Sequence, residues 1–202
     1  MGKYRTIVAD PPWAARPAVD NPRCLICGKL RLGYPQGRCN CKDPKFDLKA
    51  GRYDIGYKTL SVADIAALPV ADLSDHDAHL YLWTTSRFVR DAYEVCEAWG
   101  FRYSCMLVWS KPPKGLAEPP FTPSAEFVLF AKRGKPKATG RHTGTVFDWP
   151  RGRHSAKPDA FLDIVETVSP GPYVELFARR ARFGWDYWGN ESLGTASMEA
   201  AV

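Results

Sequence analysis

Apolar and polar positions alternate along the chain in two distinct rhythms. Tyr4 to Ala9 is a short run rich in Thr, Ile and Val, the pattern of a buried strand. It stops at Asp10-Pro11-Pro12-Trp13. Residues 14–52 lose all apolar periodicity and read as an irregular insertion rich in Pro, Gly, Cys, Lys and Arg. Ser61 to Leu68 predicts a helix, with Ser61 as N-cap and Asp64 three residues on as a short-armed capping box. His79 to Trp83 predicts a strand. Arg87 to Trp99 predicts an amphipathic helix with Phe88, Ala92, Val95, Cys96 and Trp99 on one face, closed by Gly100. Tyr103 to Trp109 and Phe127 to Ala131 predict further strands, and Lys132 to Arg153 a basic loop. Pro158 to Val168 predicts a helix with proline in its first turn, and Tyr173 to Phe177 the last clear strand. Strands alternating with helices predict a mostly parallel sheet covered on both faces. The tail after Leu193 is small and polar.

Length adds one constraint. The 202 residues, 45% of them hydrophobic, suffice for a single α/β domain and are too few for two. The expectation is one domain over 1–202, with 14–52 inserted in it. No apolar run is long enough to span a bilayer, and the short segment before the first motif does not read as a signal peptide. These features point to the cytoplasm. The net charge of +6 suits a polyanion but does not choose a reaction.

Chemistry concentrates at Asp10-Pro11-Pro12-Trp13. Ligands in open α/β sheets bind beyond the carboxyl ends of strands, where Asp10 stands. Each proline fixes its own φ and restricts the residue before it. The prolines bring no N–H, so Asp10 and the Pro11 carbonyl are read as acceptors for both hydrogens of an exocyclic amine. Trp13 is read as a stacking surface for a flipped base. Two fixed acceptors favour a pyramidal nitrogen and aim its lone pair at a methyl donor. The competing reading is a surface turn with a packed tryptophan beneath it.

Six cysteines occur in all. Cys24, Cys27, Cys39 and Cys41 follow a C-x-x-C-G…C-x-C spacing that fits a four-cysteine zinc site; four unrelated thiols are the alternative. Cys96 and Cys105 fall in a helix and a strand and read as packing residues. Arg23, Lys29, Arg31, Arg38, Lys42 and Lys45 make the insertion basic. It is either a phosphate-binding lobe or a metal-held staple with a solvated face.

Taken in order and spacing, several segments resemble the MT-A70 family of adenine-N6 methyltransferases. They are Asp10-Pro11-Pro12-Trp13, Tyr57-Lys58-Thr59-Leu60-Ser61, Leu80-Tyr81-Leu82-Trp83-Thr84-Thr85, Trp99-Gly100-Phe101 and Val108-Trp109-Ser110-Lys111. Glu126, His154-Ser155-Ala156-Lys157-Pro158-Asp159, Glu175-Leu176-Phe177-Ala178-Arg179 and Gly189-Asn190 complete the set. The resemblance implies a Rossmann-like three-layer sandwich in permuted methyltransferase order, with the catalytic strand first and the cofactor-binding helix and strand late. It implies S-adenosylmethionine as cofactor, with Lys157 on the methionine carboxylate, Asp10 near its ammonium, Arg179 on the ribose and Asn190 on the adenine. Tyr57 matches a tyrosine beside the active-site mouth. Lys111 and Glu126 are read as pocket-lining, with a structural pair as the equal alternative; Arg179 also reads as an ion-pair residue and Asn190 as a turn residue. A lysine at a helix start runs against the helix dipole, which favours a ligand role for Lys157.

The chain departs from the family at Ala181 and Arg182, where members often carry His and Asn. The acidic-apolar segment that holds the cofactor adenine in longer members would lie upstream of Met1. The implied partner is nucleic acid, DNA before RNA, with a homodimer as a further expectation. Two other classes remain open: a catalytically silent nucleic-acid-binding partner, and a zinc-ribbon interaction module on an unrelated α/β scaffold.

Overall fold

The computed structural model describes residues 3–14, 23–24, 26–27, 41–42, 46–47, 59–111, 123–150 and 157–189. The chain divides into two compact units, Ala14–Thr59 and the remainder. In chain order the elements are β1 (Tyr4–Ala9), β2 (Arg23–Cys24), β3 (Phe46–Asp47), α1 (Val62–Ala66), α2 (Val70–Leu73) and β4 (Ser74–Thr84). They continue with α3 (Val89–Ala98), β5 (Arg102–Ser110), β6 (Ala125–Arg133), β7 (Val146–Phe147), α4 (Asp159–Val168), β8 (Tyr173–Leu176) and β9 (Trp185–Trp188). In the smaller unit β2 and β3 pair antiparallel, Cys24 opposite Phe46, so the expected irregular segment holds a two-stranded ribbon.

The larger unit carries a seven-stranded sheet in the order β7-β5-β6-β4-β1-β8-β9. β6 runs antiparallel to both neighbours, and the remaining pairs are parallel. Period-two alternation sorts side chains onto two covered faces. Ile7, Leu80, Leu82, Leu129 and Leu176 join α1 and α3 in one core, while Val8, Tyr81, Trp83 and Val128 meet α4 in the other. This is the three-layer α/β sandwich the pattern predicts, with its sheet mixed by one reversed strand.

Local sequence explains each helix. Ser61 and Asp64 form a complete capping box, Asp64 N–H to Ser61 Oγ and Ser61 N–H to Asp64 Oδ2. On α3 the predicted face is the buried one: Phe88, Ala92, Val95, Cys96 and Trp99 are all at most 6% exposed. Gly100 ends it at φ 78°, a left-handed conformation that glycine adopts without a Cβ penalty. Pro158 caps α4 with an extended backbone and holds Lys157 out of the helix.

In the larger unit three short elements fall where no periodicity announces them: α2, β7 and β9. β7 is recruited by an edge, Val108 N–H donating to the Thr145 carbonyl at 2.7 Å. It lies within the expected basic loop, which therefore does not stay at one end of the sheet. Lys132 and Arg133 close β6 beside Ala78 and His79, near the amino end of β4, whereas Phe147 pairs with Trp109 at the carboxyl end of β5. Among the described residues no helix is long and apolar enough to cross a membrane.

Candidate active site

β1 delivers Asp10 to the carboxyl end of the sheet, where Asp10 N–H reaches the Leu176 carbonyl at 3.4 Å. The two prolines then turn the chain, and the structure corrects the reading of their carbonyls. Pro11 O accepts from Trp13 N–H at 2.8 Å and Pro12 O accepts from Leu60 N–H at 3.0 Å. Backbone donors do compete for these oxygens, so each keeps one lone-pair direction for a substrate. Trp13 is corrected as well. Its ring is 9% exposed, stacks on Phe88 at 5.7 Å, and donates Nε1–H to the Trp83 carbonyl at 3.1 Å. It braces the turn from the core and does not present a face to a base.

The reversed strand brings in the next residue. β6 starts where β4 and β5 end, with Glu126 opposite Trp109. Lys111 lies just past β5 and bonds Glu126 Oε1. Lys157, immediately before Pro158, donates to Asp10 Oδ2 at 2.7 Å and lies 3.4 Å from Glu126 Oε2. Asp10, Lys157, Glu126 and Lys111 thus form one row of alternating charge. Two tryptophans floor the row: Lys157 Nζ lies 5.1 Å from the Trp83 ring centroid and Lys111 Nζ 4.0 Å from that of Trp109. Burial works against both charges at its centre. It pulls the Lys157 ammonium down, yet Asp10 and Glu126 hold it above its ordinary value. It pushes the Glu126 carboxyl up, yet Lys157 and Lys111 hold it below the usual range.

Glu175 is a further acid near Asp10. It sits on β8 between buried Val174 and Leu176, beside Val8 of β1. Burial, with the negative Asp10 nearby, pushes its carboxyl up to about 7. The signal in the sequence is a lone acid inside an apolar strand. Because the folded value is raised, its contribution to stability is full below pH 4.5 and is lost as pH rises through about 7. Glu175→Gln is therefore expected to match the parent below pH 4 and to exceed it by up to about 3 kcal/mol at pH 8. Urea melts at the two pH values check this; an equal difference at both would show a packing effect instead.

Directly after β8 the chain passes through Phe177 at φ 63°, an uncommon conformation for a side chain of that bulk. Such outliers collect at ligand-binding turns. Its ring meets Trp188 edge-on at 5.3 Å, and Ala178 N–H donates to the Trp188 carbonyl at 3.0 Å. A Cβ at Gly189 would run into the Ala178 backbone, so only glycine lets the strands close here. Arg179 follows in this turn and is exposed. At the departing positions Ala181 is exposed, and Arg182 pairs with Glu166 and Asp163 of α4. Trp185 Nε1 also donates to Glu166, so Arg182 anchors the crossover from β8 to β9 onto α4.

Tyr57 and Asn190 lie outside the described residues. So do Cys39 and the side chain of Cys24, while Cys27 is exposed and Cys41 partly buried. Among the described residues no group of three or more His, Cys, Asp or Glu side chains is placed to hold a metal. Cys96 is buried and Cys105 half-buried, as packing residues would be.

Fold and site together define an α/β sandwich with a row of alternating charge at its strand ends. Comparison with known proteins then fixes the family. The MT-A70 family model matches residues 38–191. The type II methyltransferase M.MunI of Mycoplasma sp. is 32% identical over 194 residues, covering 94% of this chain and 78% of that protein. A putative N(6)-adenosine-methyltransferase MT-A70-like protein of Medicago truncatula is 26% identical, covering 98% of this chain and 36% of its own length. The N(6)-adenosine-methyltransferase catalytic subunit METTL3 of Homo sapiens is 26% identical, covering 100% of this chain and 30% of its own. The chain therefore spans about a third of the plant and human proteins and most of the Mycoplasma one. It belongs to the MT-A70 family of adenine-N6 methyltransferases.

Proposed function

We propose that this chain methylates the exocyclic N6 of adenine in nucleic acid, with DNA as its substrate, in the bacterial cytoplasm. The observation that carries the reading is the Lys157–Asp10 pair at 2.7 Å, set at the end of the first strand of an MT-A70 chain. S-adenosylmethionine, the cofactor expected for this family, supplies a methyl group activated by its positive sulfur. The donor set suits that group: Lys157 for its carboxylate, Glu175 and Asp10 for its cationic end, Arg179 and Asn190 for its ribose and adenine.

Asp10 does the positioning. Lys157 engages Oδ2, and Oδ1 has no partner among the described residues. That oxygen and the remaining lone pair of Pro11 O accept the two amine hydrogens and hold the nitrogen pyramidal. With S-adenosylmethionine held by Lys157, Asp10 and Glu175, its methyl group would pass to the amine nitrogen that Asp10 and Pro11 O aim, and Asp10 or water would take the N6 proton. Lys157, held in turn by Glu126, keeps the Asp10 carboxylate fixed throughout.

Nucleoside mass spectrometry after incubation with DNA or RNA and labelled cofactor tests the reading. N6-methyladenine in DNA is expected. Label in RNA alone would move the substrate to RNA, and label in neither would remove the activity. The cysteine spacing supports one structural zinc per chain on Cys24, Cys27, Cys39 and Cys41, and metal analysis of protein purified without added zinc is expected to return about one equivalent. A Cys24→Ser/Cys27→Ser variant with undiminished zinc would exclude that ligand set.

A further inference from the structure

At the opposite end of the sheet from Asp10, a second charged feature is built from strand ends. A cleft of about 650 Å³ opens there between β4, β5 and β6. Arg102 begins β5, Lys132 and Arg133 close β6, Lys135 follows in the turn, and His76 and Asp77 come from β4. The turn carrying Lys135 depends on Gly134 at φ 62°, where a Cβ would collide with the Asp77 carboxylate and the His76 carbonyl.

The cleft is electrostatically one-sided. Asp77 supplies its one carboxylate, and Oδ1 is engaged by Lys135 N–H at 2.7 Å and by His76 Nδ1 at 3.0 Å. Among the described residues no carboxylate stands within salt-bridge distance of Arg102, Lys132, Arg133 or Lys135. Arg133 spends its guanidinium on the Ala71 carbonyl. Lys132 lies 5.5 Å over Phe130. His79, opposite Lys132 in the β4–β6 register, is 1% exposed, and its Nδ1 has no hydrogen-bond partner among the described residues. Burial, with the charges of Lys132 and Arg5 acting in the same direction, pushes His79 down to about 4. Like charge converges on this corner, with Asp77 the one carboxylate in its lining.

We propose that this cleft binds a phosphate group at a site separate from the methyl-transfer centre, supplied by the nucleic-acid strand that flanks the target adenine. The identification of the strand rests on the adenine-methylating reading above. An arginine fork and two lysines on hydrogen-bonded strand ends suit a phosphate in both charge and geometry. β6 sets the spacing, because Glu126 in the charged row and Lys132 in the cleft are six residues apart on one strand. That is roughly 20 Å at the usual strand rise, or about six base-pair rises of a duplex strand. A substrate of two or three nucleotides cannot reach both places, whereas one of fourteen can.

The test uses Arg102→Gln/Lys132→Gln/Lys135→Gln, checked by thermal melting. Arg102→Gln/Lys135→Gln, which leaves β6 untouched, serves if the triple variant does not fold. Methyl transfer is measured on a trinucleotide and on a fourteen-nucleotide single strand, each with one adenine, and inorganic phosphate is titrated by calorimetry. The triple variant is expected to raise KM about tenfold on the long strand at unchanged kcat. Its log-log salt slope should fall by about 0.7, the value for one lost phosphate on a single strand. Trinucleotide kinetics should not change. If phosphate binds the parent and not the variant while long-strand KM stays fixed, the site takes free phosphate and the strand assignment falls. If neither quantity responds, the cleft binds no phosphate and the proposal is overturned. If the parent methylates neither substrate, it is the adenine reading that fails, and the phosphate titration still decides the cleft.

Discussion

Asp10→Ala is expected to lower kcat by ~10²–10³, the usual loss when one preorganised polar group is removed from a transition state, while the protein stays folded. Both halves follow from the geometry. The carboxylate is the charged acceptor at the turn, and the Pro11 carbonyl already shares itself with Trp13 N–H. With Asp10 gone, only one weakened acceptor aims the amine. The fold survives because Lys157 is not orphaned: Glu126 Oε2 remains 3.4 Å away. The backbone of the turn is held by Leu60 N–H and by the Trp13 ring in the core. Asp10→Asn should retain more of the turn's shape and still lose most of the rate, since its amide puts an NH₂ where an acceptor is needed or leaves a neutral oxygen in place of a charged one. Single-turnover rates at saturating cofactor, alongside melting curves, make the measurement. Near-parental turnover in a folded Asp10→Ala protein would remove Asp10 from the chemistry.

What was legible in the sequence divides by physical cause. The α3 face could be read because five buried side chains recur at helical spacing, and β1 because an apolar run stops dead at two prolines. α2, with four residues, and β7, with two, are shorter than any period that would reveal them. β9 hides for another reason: Asp186 interrupts its apolar run, and only the fold shows that Tyr4 O–H and Lys3 Nζ both donate to that carboxylate. At the site, Asp10 and Lys157 were each marked by local context. Their pairing across 147 positions was not, nor was the reversed strand that inserts Glu126 between Lys111 and Lys157. Trp13 shows the limit most plainly. A tryptophan after two prolines has the same sequence whether its ring faces a base or Phe88, and only packing decides.

Lys157→Met should be the most costly single change in the row, and its cost should depend on pH. The side chain is four-fifths covered and balances two carboxylates, Asp10 and Glu126. Methionine fills a similar volume over Trp83, so the loss isolates charge from packing. Removing one partner of a largely buried pair leaves carboxylates that burial penalises, and about 2–3 kcal/mol of destabilisation at pH 8 is expected for a site still touched by solvent. The sign follows from Glu126. Its folded value lies below the ordinary 4.5, so its contribution is present above that pH and is lost as pH falls through the folded value. Parent and variant should therefore differ fully at pH 8, and the gap should narrow as pH falls below 4.5 through the folded value of Glu126, whose protonated carboxyl no longer needs the ammonium. Cofactor affinity should fall at every pH, because the methionine carboxylate loses its cation. Urea melts at pH 8 and pH 3.5 with calorimetry on the product S-adenosylhomocysteine separate the two effects. A stability gap of the same size at both pH values would mean that Lys157 acts through its aliphatic stem, and the charged row would lose its role in holding Asp10.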